Sequence, residues 1–127
     1  MPLTRIDLRR GKSDEFKRTL MAEIYQAMHE TFNVPENDRF MVINEHDDAD
    51  FVFDRNYMGI ARSDDFVLIQ LTVSNTRTIE IKKALYARLV ERLGQRPGLR
   101  PEDVFVNLVE VQTENWSFGN GIAQYVV

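Results

Sequence analysis

Hydrophobic and polar positions along the chain fall into two rounds of one order: strand, helix, strand. Leu3 to Leu8 alternates, with Thr4, Ile6 and Leu8 on one face and Leu3, Arg5 and Asp7 on the other. That period of two is the mark of a strand with one buried face. Phe16, Leu20, Ile24, Ala27, Met28 and Phe32 then recur at helical spacing and predict an amphipathic helix. Ser13 supplies an N-cap ahead of Asp14 and Glu15, whose charges suit the first turn, and Pro35 lies beyond the helix end. "RFMVINEH" predicts a second strand. A polar stretch from about Asp47 to Asp65 follows, with turn signals at Asp54 to Asn56 and at Gly59.

The second round begins at "FVLIQLTVS", continuously apolar as a strand buried on both faces should be. "TRTIEIKKALYARLVERLG" predicts a helix with Ile81, Leu85 and Leu89 on one face and Gly94 as its C-cap. "EDVFVNLVEV" predicts a fourth strand. "PENDRFMVINE" from Pro35 echoes "PEDVFVNLVE" from Pro101: each sets Pro-Glu and an Asp before an apolar strand that ends in Glu. The expected fold is therefore α/β (α+β), a duplicated β-α-β unit. It has a four-stranded mixed sheet, two helices on one face, right-handed crossovers, and short extra strands or hairpins. Residues 1–127 are expected to form a single domain with halves at about 1–60 and 61–127. The second sheet face is expected to be apolar and covered by oligomerisation.

Composition narrows the function classes. The chain has 127 residues, 43% of them hydrophobic and 28% charged, enough for a real core. A net charge of −4 argues against a nucleic-acid or membrane-surface partner. The absence of cysteine excludes disulfides and thiol chemistry and fits a reducing compartment. No signal-peptide pattern is present, and the apolar run at Phe66 to Ile69 is far too short to cross a bilayer, so a cytoplasmic location is expected.

Candidate chemistry is sparse. Glu45 to Asp50 offers carboxylates and His46, but in no spacing with a known metal geometry. His29 has no second histidine one turn on, and no metal or other cofactor is expected. "FGNG" opens no helix and reads as a turn or hairpin. Pro2 heads the first strand, where a missing amide proton is tolerated. Arg77 follows a buried strand at the start of a helix, where ligands gather in open α/β folds. It is either a surface charge or a two-pronged clamp for a carboxylate. Asp38 is a turn residue before the second strand. Trp116 and Phe118 either pack in a core or interface, or wall a pocket.

Taken in order, "MPL", "VPENDRF", "VSNTRTIEIKK" and "NWSFGNGIAQY" resemble the tautomerase superfamily, and most nearly its malonate semialdehyde decarboxylase-like branch. The resemblance runs essentially end to end. It implies removal of Met1, so that Pro2 becomes a secondary amine at the terminus and serves as general base. It implies that Arg77 binds the substrate carboxylate, that Asp38 orients or activates water, and that Trp116 and Phe118 exclude bulk water. Some members of the branch carry Arg-x-Arg at the second strand–helix junction. Here Asn75 stands at the first of those positions and adds a hydrogen-bonding group without a charge. The resemblance further implies a homotrimer and a small-molecule carboxylate substrate.

Three functions follow from these residues. The first is a keto–enol tautomerase for a small carboxylate-bearing 2-oxo acid or enolpyruvate. The second is a decarboxylase or hydratase for a 3-oxo acid of the malonate semialdehyde type. The third is a non-catalytic oligomeric binding module, in which Pro2 merely starts a strand. Intact mass separates the third from the others, because a chain that keeps Met1 holds Pro2 in an amide.

Overall fold

The computed structural model describes residues 1–126. Four strands form one sheet: β1 (Leu3–Arg9), β2 (Met41–His46), β3 (Val67–Ser74) and β4 (Val104–Val111). Two helices, α1 (Asp14–Phe32) and α2 (Ile79–Gln95), make the crossovers. The strand order is β2-β1-β3-β4. The outer pairs are parallel and the central β1–β3 pair is antiparallel, so two parallel β-α-β units meet head to tail at the middle of the sheet.

Local chemistry sets the helix starts as expected. Ser13 Oγ accepts a hydrogen bond from the Phe16 amide at 3.0 Å, and Thr78 Oγ1 accepts from the Ile81 amide at 3.3 Å. The first helix stops at Asn33, whose φ of 56° is left-handed, a conformation asparagine tolerates. The second departs from expectation. It continues through Gly94 to Gln95 and ends at an extended Arg96. Its last carbonyls are taken by the Arg96 amide on Arg92, and by the Gly98 and Leu99 amides on Leu93. Gly98, at φ 104°, supplies the left-handed residue that Gly94 was expected to provide.

Both helices lie on one face. The core joins Ile6 and Leu8 of β1 and Ile69, Leu71 and Val73 of β3 to Leu20, Ile24 and Met28 of α1 and Leu85, Leu89 and Leu93 of α2. Each leucine sealed there contributes roughly 2 kcal/mol of hydrophobic stabilisation. Carboxylates of α1 also reach α2: Glu23 meets Arg92 at 2.7 Å and Arg96 at 2.8 Å, and Glu30 meets Arg88 and Arg92.

The opposite face mixes exposed apolar side chains with polar ones rather than being apolar throughout as expected. Val42, Phe105 and Val109 alternate across it with Arg5, Gln70 and Asn107, and Gln70 donates to Asn107 at 3.1 Å. One end is covered by the 47–65 stretch, where Phe53 stacks on Phe66 at 4.3 Å and Phe66 meets Phe105 edge-on. Among the described residues this stretch and the C-terminal arm hold short 3-10 turns rather than extra strands or hairpins.

Candidate active site

The parallel β1–β2 pairing builds the site. The Thr4 amide donates to the Phe40 carbonyl at 2.9 Å, which ties the start of β1 to the segment just before β2. That segment opens with a turn closed by the Asp38 amide on the Pro35 carbonyl at 3.1 Å. The terminal amine of Met1 consequently lies 3.9 Å from Asp38 Oδ2, with both side chains mostly buried. Pro2 is buried one residue further in. The other Asp38 oxygen, Oδ1, is buried without a hydrogen-bond partner among the described residues.

Arg77 arrives from the β3–α2 junction. Its Nη2 donates to the Phe32 carbonyl at 3.0 Å, and its guanidinium lies 4.7 Å over the Phe32 ring. A cation there satisfies a carbonyl at the negative end of α1. The C-terminal arm completes the wall. Trp116 Nε1 donates to Ser74 Oγ at 3.1 Å, the Trp116 ring stacks on Phe118, and Phe118 meets Tyr125 edge-on at 5.0 Å. Together these elements leave a cavity of about 350 Å³ lined by Met1, Pro35, Asp38, Phe40, Phe118 and Tyr125.

The electrostatics follow from this geometry. Burial holds the terminal amine below the ordinary α-amino value; nearby Arg77 pushes the same way and Asp38 opposes. Burial pushes the Asp38 carboxyl up, against the pull of the amine and Arg77. Burial, reinforced by Asp38, also raises the Tyr125 phenol. Arg77 remains a guanidinium cation. A half-buried amine with a depressed pKa, flanked by one carboxylate and one fixed cation, is chemically suited to exchanging protons near neutral pH.

Asp38 and Phe118 line the cavity; Pro2 follows Met1 beneath it, and Arg77 lies outside the lining but close enough to act by charge on the terminal amine and Asp38. Trp116 stands behind Phe118 and buttresses the wall without lining the cavity. Asn75 is exposed, with its backbone amide on the Val111 carbonyl at 3.0 Å, and does not reach the cavity. Phe40, Tyr125 and Gln124 line the cavity and were not singled out from the sequence. Phe40 had a signal, its place two residues after Asp38. The other two lie in an irregular arm whose path no periodicity encodes. The Glu45–Asp50 acids are engaged in ion pairs: Glu45 with Lys17, Asp47 with Arg10 and Asp48 with Arg9, while His46 meets Asp7 at 2.6 Å. Among the described residues no group of three or more histidines and carboxylates is placed to hold a metal.

Two family models, each described as tautomerase enzyme, match residues 38–119 and 2–61. The chain belongs to the tautomerase superfamily. A curated superfamily relative, YusQ of Bacillus subtilis (strain 168), named a probable tautomerase, is 42% identical over 126 residues, or 99% of both chains. A solved malonate semialdehyde decarboxylase, described with decarboxylase and hydratase activities, is 33% identical with a TM-score of 0.91. The match covers 97% of this chain and 95% of that one. A second malonate semialdehyde decarboxylase, inhibited by 3-bromopropiolate, is 35% identical with a TM-score of 0.91, over 98% of this chain and 94% of its own. Among the described residues of this superfamily member no helix is long and apolar enough to cross a membrane.

Proposed function

We propose that this chain, after loss of Met1, is a keto–enol tautomerase for small carboxylate-bearing 2-oxo acids or enolpyruvates, with Pro2 as general base. The observation that carries the reading is the half-buried terminal amine held below its ordinary pKa between Asp38 and Arg77. Removing Met1 moves that amine to the Pro2 nitrogen, one residue further along the chain. The neutral secondary amine takes a proton from the carbon beside the substrate carbonyl. Negative charge grows on the carbonyl oxygen, and the proton returns to that oxygen to give the enol. Arg77 pairs with the substrate carboxylate and stabilises the growing charge. Phe40, Phe118 and Tyr125 keep bulk water away from the transfer. Because the substrate is anionic, a single guanidinium and no metal site suffices for binding.

Residues 1–127 act in this reading as one tautomerase-like domain. The working form is a cytoplasmic homotrimer, supported by the exposed Val42, Phe105 and Val109 on the face away from the helices. The test is enol-to-keto turnover of an arylenolpyruvate by chain with mass-verified Pro2 at the terminus. Pro2→Ala should lower kcat/KM by at least about a hundredfold, the usual scale of a lost general base; undiminished activity removes the mechanism.

A second reading has its own support. Asp38 Oδ1 is a buried acceptor without a donor, positioned to orient a water for hydration or to steer decarboxylation of a 3-oxo acid such as malonate semialdehyde. Turnover of that substrate, lost in Asp38→Asn, would establish it; no turnover excludes it.

A further inference from the structure

The C-terminal arm turns back on itself at Gly119, Asn120 and Gly121, three successive residues at positive φ (141°, 60° and 69°). Glycine and asparagine accept that conformation, but the turn's own backbone bond, from the Ile122 amide to the Gly119 carbonyl, is long at 3.5 Å. One side chain closes it. Gln124 Oε1 accepts from the Phe118 amide at 3.0 Å, and Gln124 Nε2 donates to the Gly119 carbonyl at 2.8 Å. Both ends of the amide are therefore satisfied by the turn itself. Phe118 is the residue whose backbone is held, and Tyr125 is the neighbour of the residue that holds it. Their rings form the edge-to-face pair on the cavity wall.

We propose that Gln124 is the positioning residue of this wall, and that its clasp sets the preference of the cavity for carboxylates bearing a planar apolar group over short-chain ones. The carboxylate end of a ligand meets Arg77, which Gln124 does not touch. The apolar end meets the Phe118–Tyr125 pair, and a planar group gains from an aromatic wall only if the rings stay where they are. Releasing the clasp lets the wall move, so the ring-bearing ligand loses affinity while the short one does not. The inference rests on the proposed tautomerase reading, which sets the carboxylate at Arg77, while the aromatic wall belongs to the cavity itself.

The test is therefore a binding measurement. NMR titration of the chain with 3-phenylpropionate and with propionate gives a ratio of affinities. Gln124→Met keeps the side-chain length and loses both hydrogen bonds. It should cut the ratio by about tenfold, the size expected when one or two net hydrogen bonds stop holding a wall. Propionate should weaken far less than 3-phenylpropionate, and the unfolding midpoint should fall by no more than the loss of one or two hydrogen bonds explains. Gln124→Asn, too short to span the turn, should behave alike and serves if the Met variant folds poorly. An unchanged ratio, an equal weakening of both ligands, or no preference for the ring in the wild-type chain overturns the proposal. Selective binding without turnover would sink the tautomerase reading alone; turnover with an unchanged ratio in Gln124→Met would sink the clasp alone.

Discussion

The terminal amine should respond in opposite directions to the loss of its two charged neighbours, and the size of the response follows from the geometry. Asp38 Oδ2 lies 3.9 Å from the amine. At that separation two unit charges attract by about 1 kcal/mol in bulk water and about 4 kcal/mol at the effective dielectric of a protein surface. A half-buried pair lies between these limits, so the attraction that holds the proton on the amine is about 1–4 kcal/mol. Asp38→Asn removes it and should lower the amine pKa further. Arg77 drives the proton off, and Arg77→Gln should raise it. The sign is the same for the Pro2 nitrogen once Met1 is gone. The base is active only when neutral, so kcat/KM falls as pH drops through this pKa. The acid limb of the profile should move to lower pH in Asp38→Asn and to higher pH in Arg77→Gln. A nitrogen NMR titration of the terminal residue checks the shift without a substrate. Shifts in the same direction, or movement of neither by more than a few tenths, would refute an amine poised between these two groups.

Three further outcomes concern what holds the site in place. Hydrogen bonds from Arg88 and Arg92 hold Glu30 at about 2, against an ordinary 4.5. The stability this gives is complete above pH 4.5 and is lost as pH falls through about 2. Glu30→Gln should cost about 1 kcal/mol at pH 7, discounted for exposure, and flatten the acid dependence of urea unfolding. Asp103, fully buried, accepts from the Ser63 amide at 2.7 Å and from Ser63 Oγ at 2.6 Å. Asp103→Ala should cost about 1–3 kcal/mol by the same measurement, because it leaves the partly buried Ser63 amide and hydroxyl without their acceptor. Ser74→Ala removes the only side-chain partner of the Trp116 indole recorded among the described residues. It should shift the emission of this single tryptophan and cost about 1 kcal/mol.

The alternation of Thr4, Ile6 and Leu8 and the helical spacing from Leu20 to Met28 identified the elements because periodicity records which face is buried. Asp38 and Arg77 could be placed at helix–strand and strand–helix junctions, respectively, for the same reason. Periodicity does not record how an irregular segment packs. The path of 47–65 over Phe66 and Phe105, and of the arm that brings Tyr125 to the cavity, depends on contacts between residues far apart in sequence. Nor does it record charge pairing, so the partners of the acids from Glu45 to Asp48 were not legible. Asn75 was placed by its neighbour Arg77. A junction residue's side chain can point either way, and here it points to solvent.

The duplication explains why a cavity with this chemistry arises once. Equivalent positions run at a constant offset: Ser13 and Thr78 cap the helices, Leu20, Ile24 and Met28 answer to Leu85, Leu89 and Leu93, and Asp38 answers to Asp103. Phe40 and Phe118 answer to Phe105 and Phe53, which line a second, apolar cavity of about 250 Å³. The two aspartates occupy the same turn and meet different things. At the head of β1 Asp38 faces the Met1 amine and, among the described residues, keeps one oxygen unpartnered. At the head of β3 Asp103 faces the backbone and hydroxyl of Ser63, and both its oxygens are occupied. The nearby guanidinium differs likewise. Arg77 keeps donors beyond the one on Phe32, whereas Arg62 in the second cavity donates to the carbonyls of Asp54, Tyr57 and Ile60. One unit thus sets its aspartate against an amine and the other sets its own against a serine, on the same scaffold.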